Sequence, residues 1–393
     1  MVENARNKKG LWAVIVRELH RLVSRPIYLL SMVAFPLFTG FLLLSLMKSG
    51  LPTKIPVAIV DQDRSDVSRN FIQKLGSLDM VDICYKVETF TEARELMQAG
   101  EIFGFLMIPE SFEAKAMAAR QPQISFYTNN AYFIPSSLLY KSFKTMSVLA
   151  SAAVVEQLLL AMGEDHMQIM TALQPIALDM HPLGNPTLNY SVYLNNSFIP
   201  GVLELMILLV TVYSIGVEIK EQKSREWLET ANGSIVWAVT GKLLPQTITF
   251  VALGWLAQSV FYGYLSFPMN GKLWHMMLAM FLLVLASQSL AVIIMCFAPS
   301  LRIGLSAAGL FGILGMSLSG FSFPLPAMYE LFHLPANLVP LRHYFLIYVD
   351  QALNGIPLYY SRWHYIALIC FAIASTALLP RLKNALMRQV YVP

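Results

Sequence analysis

Charged residues are scarce in this sequence. Of its 393 residues, 13% are Asp, Glu, Lys or Arg and 56% are hydrophobic, and the mean hydropathy is +0.55. Because a soluble domain carries about 25% charged residues, much of this chain's surface is expected to face lipid. The formal net charge of +4 is small, and the basic residues lie beside apolar runs. This pattern indicates membrane topology rather than nucleic-acid binding.

Cysteine pairs and catalytic signatures are also missing. Cys84, Cys296 and Cys370 have no spacing typical of a disulfide framework or a zinc site, so we expect free thiols. The sequence contains no G-x-x-x-x-G-K-[ST] loop, Rossmann glycine fingerprint, G-x-S-x-G or H-E-x-x-H. We therefore expect no catalytic residue, no metal and no directly bound cofactor. The chain is not expected to hydrolyse ATP by itself.

The sequence does contain long apolar runs. Six of them are long enough to cross a hydrocarbon core, which needs about 20 residues. They are residues 26–47, 198–217, 243–264, 274–297, 303–323 and 363–382. The basic N-terminus and the length of the first run predict an uncleaved signal anchor rather than a cleavable signal peptide.

The basic residues predict the topology. They lie in the N-terminal segment (1–25), after the second and fourth runs, and in the C-terminal tail (383–393). By the positive-inside rule, these parts are cytoplasmic and the insertion at 48–197 is extracytoplasmic. We thus expect a mainly α-helical, multi-pass protein of the inner (cytoplasmic) membrane, with six transmembrane helices, both termini inside and an inserted α/β domain.

Residues 11–23 predict an amphipathic helix in the membrane interface. Apolar residues including Trp12 recur at helical spacing, and charged residues occupy much of the other side. Those charged residues are Arg17, Glu18, Arg21 and Arg25. The alternative is a simple extension of the first transmembrane helix.

The insertion predicts alternating strands and helices. Strands are expected at 54–61, 81–87, 102–108 and 123–127, and helices at 66–75, 91–99 and 111–119. Ser65 or Asp66 and Thr91 are the expected N-caps. This alternation is typical of an α/β domain with a largely parallel sheet. Residues 134–162 predict a long helix that packs on this domain, with a seventh transmembrane helix as the alternative, and 174–196 predicts extended chain.

Several acidic and histidine residues are candidates for chemistry. Asp61, Asp63 and Asp66 follow the first strand, where a solvated, capped turn is commoner than a cation site. Glu204 is an acid inside a predicted span, near its outer end, and is a candidate for substrate passage or for contact with interfacial water. His275, His333, His343 and His364 fit interfacial positions better than a metal centre or proton relay.

The segment at 218–232 is a mixed-charge helical stretch between two predicted spans. It is expected to be cytoplasmic and amphipathic, which suits docking into a groove of a soluble partner, although an inert loop helix fits its composition equally well. Its candidate docking residues are Glu218, Lys220, Glu221, Arg225, Glu226 and Trp227.

In several segments along its length, the sequence resembles the permease subunits of type-2 ATP-binding-cassette exporters, in the branch with a large extracytoplasmic domain after the first helix. The elements in common, in order along the chain, are the basic helix at 11–23, VAIVDQDRSDVSRNF, the charged segment through Glu226-Trp227-Leu228 to Gly241-Lys242-Leu243-Leu244-Pro245, FPLPAM from Phe323, PLRHY from Pro340, and Asn354-Gly355. The chain departs from many relatives at Lys223-Ser224, where they have Gly-Thr, and at Asn232, where they often have Pro.

The resemblance implies a half-transporter. Two permeases, identical or paralogous, would sit on two ATP-binding subunits whose closure pushes on the coupling segment (218–232) and on the helix at 11–23. A membrane-fusion adaptor is a further implied partner. Residues 324–360 would form short re-entrant or interfacial helices outside, and Phe323, Pro324 and Met328 would join Glu204 as candidates for the outer gate. The substrate class stays open among drug-like amphiphiles, lipids and peptides.

Other functions fit the residues less well. A secondary transporter or channel usually shows inverted repeats or paired intramembrane charges, and neither is evident. A membrane-anchored extracytoplasmic scaffold leaves five further helices without a purpose. A membrane enzyme lacks a catalytic constellation.

Overall fold

The chain divides into two compact units. A computed structural model describes residues 9–118, 120, 122–161, 184–186 and 188–388, except for the side chains of 157, 158 and 161. The helical unit comprises Met1–Gly50 and His181–Pro393, and the sheet unit comprises Leu51–Met180. Within the predicted extended segment at 174–196, residues 174–183 and 187 lie outside the described residues.

Two consecutive helices, α1 (Leu11–Ser24) and α2 (Pro26–Leu46), open the helical unit. Arg25 between them has extended backbone, because the ring of Pro26 disfavours helical geometry in the residue before it. Pro26 itself occupies the first helical position of α2, where no backbone N–H is needed. The predicted separate helix at 11–23 is confirmed, and the alternative of one continuous helix is wrong.

The sheet unit alternates strands and helices. In order they are β1 (Ile55–Asp61), α3 (Asp66–Gly76), β2 (Val81–Val87), α4 (Phe90–Ala99), β3 (Gly104–Ile108), α5 (Phe112–Met117) and β4 (Ser125–Thr128). The strand order is β2-β1-β3-β4; β1 pairs in parallel with β2 and β3, and β4 is antiparallel to β3. Val57 and Ile59 face one core cluster and Ala58 and Val60 another, so β1 is apolar on both faces.

Strand and helix positions in this unit agree with the sequence predictions to within a few residues, and the largely parallel sheet is confirmed. Ser65 caps α3 by accepting a hydrogen bond from the backbone N–H of Ser68. The cap of α4 is Thr89 rather than Thr91. Asp63 accepts hydrogen bonds from the backbone N–H groups of Phe112 and Glu113, at 2.9 and 3.1 Å. The acidic turn after β1 thus binds the first residues of α5 through hydrogen bonds.

The long helix α6 (Phe133–Ala161) follows β4. Leu139, Phe143 and Met146 are buried in the same cluster as Val57 and Ile59, so the first half of α6 packs on the sheet as predicted. Within the described residues, seven helices are long and apolar enough to cross a membrane, and Phe133–Glu156 is one of them. Length and composition thus allow six or seven spans, and the count of six stays a prediction.

The rest of the helical unit contains both long and short helices. They are α7 (Tyr190–Lys220), α8 (Ser224–Thr230), α9 (Ile235–Tyr264), α10 (Leu273–Phe297) and α11 (Leu301–Leu318), then α12 (His333–Asn337), α13 (Pro340–Tyr348), α14 (Leu358–Ala374) and α15 (Leu379–Arg388). The helix α7 lies at the centre, with most of its residues buried. Short helices and 3-10 turns lie between α11 and α14, as predicted for 324–360; their side of the membrane stays a prediction.

Three helices begin earlier than the apolar runs predicted to cross the membrane. The helix α7 begins at Tyr190 rather than 198, α9 at Ile235 rather than 243, and α14 at Leu358 rather than 363. In each helix the missed turns carry polar or aromatic side chains, which lower the hydropathy without interrupting the backbone hydrogen bonds. Residues 190–196 are therefore helical and not extended chain.

Candidate functional site

The charged side of α1 faces the protein. Val14, Ile15 and Glu18 are buried, whereas Trp12 is 69% and Val23 86% exposed. The four charged residues named in the sequence, Arg17, Glu18, Arg21 and Arg25, each have a partner within the helical unit. The outward side of α1 is apolar and suits a membrane interface.

The partners of α1 meet at Glu218 and Lys242. Lys242 of α9 lies 2.7 Å from Glu18 and 2.9 Å from Glu218, and all three side chains are at most 1% exposed. Arg17 donates two hydrogen bonds to the Glu218 carboxylate at 2.9 and 3.0 Å, and Arg21 donates a third. Burial acts to lower the pKa of Arg17, but the hydrogen bond and charge of Glu218 outweigh it and raise that pKa. We call these five residues the ion cluster.

A more accessible pair extends this cluster along α1. Arg25 donates to Glu221 at 2.8 and 3.0 Å, and Arg21 contacts the same carboxylate at 3.4 Å. Burial acts to raise the pKa of Glu221, but the hydrogen bond and charge of Arg25 hold it below its ordinary value. Lys223 lies 3.5 Å from Glu221 and adds a further positive charge.

The predicted docking residues at 218–232 do not form one exposed helix. Glu218 belongs to the buried end of α7, and only Ser224–Thr230 forms the separate helix α8. Trp227 is fully buried, with Lys242 Nζ 4.6 Å from its ring centroid, so it packs inside the protein and is not a docking residue. Its position follows from the 3.6-residue period, which turns Ser224, Trp227 and Leu228 inward. Lys220, Arg225 and Glu226 remain exposed.

Close packing holds α1 on α9. Gly241 precedes Lys242, and a Cβ at this glycine would lie 2.8 Å from Val14 Cβ and Cγ1. Such a distance is below the van der Waals contact, so glycine allows α1 to approach closely enough for Glu18 to reach Lys242. One helix, α1, is thereby joined to the end of α7 and the start of α9. A displacement of α1 or α8 would be transmitted to both long helices.

Glu204 forms a second buried acidic site, in the middle of α7. The helix α7 begins at Tyr190, before the predicted span at 198, and the depth of Glu204 in the membrane stays a prediction. The side chain is 1% exposed, and its Oε2 has no hydrogen-bond partner. The backbone N–H of Leu341 interacts with the carboxylate, which thus faces the first turn of α13. A carboxylate there is favourable for the helix dipole, since Val339 supplies no side-chain cap.

Arg342 attaches α13 to α11. Its guanidinium donates to Asn337 Oδ1 at 3.2 Å and to the backbone carbonyl of Ser319 at 3.3 Å, just past the end of α11. Gly320 has φ +98°, and a Cβ there would lie 2.9 Å from Arg342 Nη1, so this glycine keeps space for the guanidinium. No local pattern predicts this contact, since Arg342 stands out only as part of the motif PLRHY.

The other predicted gate residues are placed differently from Glu204. Phe323 and Pro324 are exposed and Met328 is partly buried, in the segment that follows α11. They therefore do not share the buried environment of Glu204. Three of the four histidines pair with polar groups: His343 Nδ1 lies 3.3 Å from His364 Nδ1, and His275 Nδ1 lies 2.6 Å from Gln351 Oε1. The buried Nε2 of His333 has no hydrogen-bond partner among the described residues. The described residues include no group of three or more His, Cys, Asp or Glu placed to hold a metal ion.

Comparison with known proteins identifies the family. A stretch of 120 residues is 30% identical to the linearmycin resistance permease protein LnrN of Bacillus subtilis (strain 168), and it covers 30% of this chain and 30% of that protein. Residues 26–379 match the family described as ABC-2 family transporter protein. This match covers the long helices α2, α7, α9, α10 and α11 and two residues of the ion cluster, Glu218 and Lys242. The chain is therefore a multi-pass membrane protein that belongs to the ABC-2 transporter family.

Proposed function

We propose that this chain is the membrane-spanning permease subunit of an ATP-driven exporter. A separate ATP-binding subunit supplies the hydrolysis, so the permease itself binds no nucleotide. Two permeases, a pair of identical copies or this chain with a paralogue, form the pathway between them. The substrate is a drug-like amphiphile, a lipid or a peptide. The relative LnrN is a linearmycin resistance permease protein, and a permease that confers resistance favours a drug-like substrate.

The observation that carries this proposal is the ion cluster. A permease driven by a soluble ATPase needs a rigid connection from its surface to its spanning helices. Glu18, Glu218 and Lys242 provide one, because each comes from a different helix and none can leave the cluster without exposing an unpaired buried charge. The exposed residues Arg225 and Glu226 on α8 lie on the surface next to this connection.

The proposed topology follows from the basic residues. The ion cluster, α1, α8 and α15 lie on the cytoplasmic side of an inner membrane, and both termini are cytoplasmic. Six helices cross the bilayer, and the sheet unit with α6 is extracytoplasmic. There it is available to bind substrate or a membrane-fusion adaptor.

The test is co-purification from native membranes. The tagged chain is purified in mild detergent, and the ATP-binding-cassette ATPase that accompanies it is identified by its P-loop peptides and by its ATP hydrolysis. Glu226→Lys changes the exposed face of α8 without touching the core, whereas Trp227→Ala would damage packing. Glu330→Lys, at an exposed acid after α11, is the matched control.

We expect the unmodified chain and Glu330→Lys to retain the ATPase, and Glu226→Lys to retain much less. Equal retention by both variants would leave the subunit assignment standing and place the docking face elsewhere. Intact permease that never retains an ATPase would contradict the proposal and favour an ATP-independent transporter.

A further inference from the structure

A groove beside α8 is lined by none of the ion-cluster residues. The start of α1, the end of α8 and the last helix α15 surround it, and its volume is about 340 Å³. Lys9, Arg225 and Lys383 supply its basic side chains, and Glu229 is the acidic residue in its lining. Leu228 and Met387 form an apolar floor.

The three cations of the groove are not neutralised by the residues that the structure describes. Arg225 donates to the backbone carbonyl of Met387 at 3.2 Å, and Lys383 donates to that of Gly233 at 2.7 Å. No carboxylate of the described ranges lies within 4 Å of Lys9, Arg225 or Lys383. Carbonyls at helix ends stabilise Arg225 and Lys383 without cancelling their charge.

A neighbouring groove shows the contrast. It is lined by Arg17, Arg21 and Arg25 of α1 and by Glu221 and Glu226. Its arginines are paired with Glu218 and Glu221, so little positive charge is left over there. The groove between α8 and α15 keeps its positive charge and adds an apolar floor. A ligand that fits it carries a carboxylate next to an apolar group.

We propose that the groove between α8 and α15 binds an acidic side chain, with an apolar neighbour, from the ATP-binding subunit. This inference rests on the proposed function, since it takes α8 to face that subunit. It makes α15 a third element of the docking surface, beside α1 and α8. Rim charges of this kind set the partner's orientation and its rate of association more than its affinity.

Carbodiimide cross-linking tests the contact directly, because this reagent joins a lysine amine to a carboxylate that touches it. The complex of the full-length chain with its ATPase is treated, digested and analysed by mass spectrometry. We expect Lys9 or Lys383 to be linked to an Asp or Glu of the ATPase. Lys9→Arg and Lys383→Arg keep the charge but cannot form the amide, so they should lose the link and keep the complex.

Charge reversal gives the second measurement. Lys9→Glu with Lys383→Glu should lower the association rate with the ATPase by about tenfold at low salt, and less at high salt. Lys272→Glu, an exposed lysine at the start of α10, is the matched control and should change little. Size-exclusion chromatography of each variant confirms that it is folded.

Each other outcome overturns the inference. If the complex forms but Lys9 and Lys383 link only to this chain's own carboxylates, the groove is filled by the chain itself. If the reversal acts only when anionic lipid is present, the occupant is a lipid head group. In both cases the permease assignment survives. If no ATPase associates with the unmodified chain, the proposed function and this inference are both wrong.

Discussion

The ammonium group of Lys242 lies 2.7 Å from the carboxylate of Glu18, and both side chains are excluded from solvent. The two residues are 224 positions apart in sequence, on α9 and α1. Burying a charge costs several kcal/mol unless a partner is in place, so neither residue is tolerated there alone. This pair, with Glu218 2.9 Å from the same ammonium, fixes α1 against the long helices.

Lys242→Met should destabilise the protein strongly. Methionine keeps the length and apolar stem but removes the charge, and Glu18 then loses its closest cation while Glu218 keeps two arginines. Breaking a buried pair from one side typically costs about 3–5 kcal/mol. The measurement is the thermal melting of the purified chain in detergent, compared with Lys272→Met at an exposed lysine.

A double substitution measures the contribution of the Glu18–Lys242 contact apart from the other contacts of the two residues. Glu18→Gln together with Lys242→Met removes both charges, so it should melt at a higher temperature than Lys242→Met alone. A double variant that melts at the temperature expected from adding the two single effects would show that the Glu18–Lys242 contact contributes nothing of its own.

Gly241→Ala should displace α1. The added methyl would lie 2.8 Å from Val14, inside a contact between two helices that has no free volume. Overpacking of this kind costs about 1–3 kcal/mol, and we expect lower melting and less co-purifying ATPase. Gly309→Ala is the matched control: a Cβ there meets nothing within 4 Å, so it should have no such effect. Equal behaviour of the two variants would contradict the close-packing role of Gly241.

Local patterns predicted the sheet unit well. The strand β2 begins and ends where the sequence predicts it, because turn residues and an apolar start mark both limits. The cap of α4 was misplaced by two residues, since Thr89 and Thr91 are both plausible caps. Only the hydrogen bond from the Glu92 N–H to Thr89 Oγ1, at 3.3 Å, decides between them.

The ion cluster could not be predicted in the same way. Helical periodicity separates the two faces of α1 but does not say which face meets the protein. The face of α1 that meets the protein is decided by Glu218 and Lys242. Both lie so far from α1 in sequence that no local pattern predicts the contact. Trp227 was assigned to a docking surface for the same reason: the helical period places Ser224, Trp227 and Leu228 on one face of α8 but does not say that this face meets the protein.

The Arg25–Glu221 pair should give a pH-dependent contribution to stability. The pKa of Glu221 is lowered in the folded protein from an ordinary value of 4.5, so its contribution is present above that pH and is lost as the pH falls through the folded pKa. The pair is partly exposed, which limits the effect to about 1 kcal/mol or less. Arg25→Ala should therefore lower the melting temperature at neutral pH, and the difference from the unmodified chain should shrink as the pH falls below 4.5 and through the folded pKa of Glu221.

An exposed ion pair provides the comparison for this pH dependence. Arg64 and Glu88 lie 2.9 Å apart, but their side chains are 69% and 78% exposed. Arg64→Ala should leave the melting temperature almost unchanged at either pH. If Arg25→Ala lowers melting equally at neutral and acidic pH, the arginine acts through packing and not through the charge of Glu221.

Glu204→Met should separate stability from function. Glu204 is 1% exposed and its Oε2 has no hydrogen-bond partner, so replacing it with an apolar side chain of similar length removes an unsatisfied polar atom. The Leu341 N–H loses its acceptor, which costs about 1 kcal/mol, and the two effects should nearly cancel. We expect melting close to that of the unmodified chain. We also expect ATP hydrolysis by the assembled transporter in liposomes to fall severalfold, because an acid buried within a candidate span is by default a candidate for a functional role.

Glu204→Gln decides whether the charge or the hydrogen bond matters. Glutamine keeps an acceptor for the Leu341 N–H and cannot ionise, so α13 should stay in place with either side chain. If ATP hydrolysis by Glu204→Gln is higher than that by Glu204→Met and close to that of the unmodified chain, the role of Glu204 is to hold the first turn of α13. Hydrolysis that stays as low as in Glu204→Met assigns it to a step that needs the ionisable carboxyl. A third outcome is that Glu204→Met melts at a much lower temperature but each folded complex hydrolyses ATP normally. Glu204 would then be purely structural, since the substitution would have changed only the fraction of folded protein.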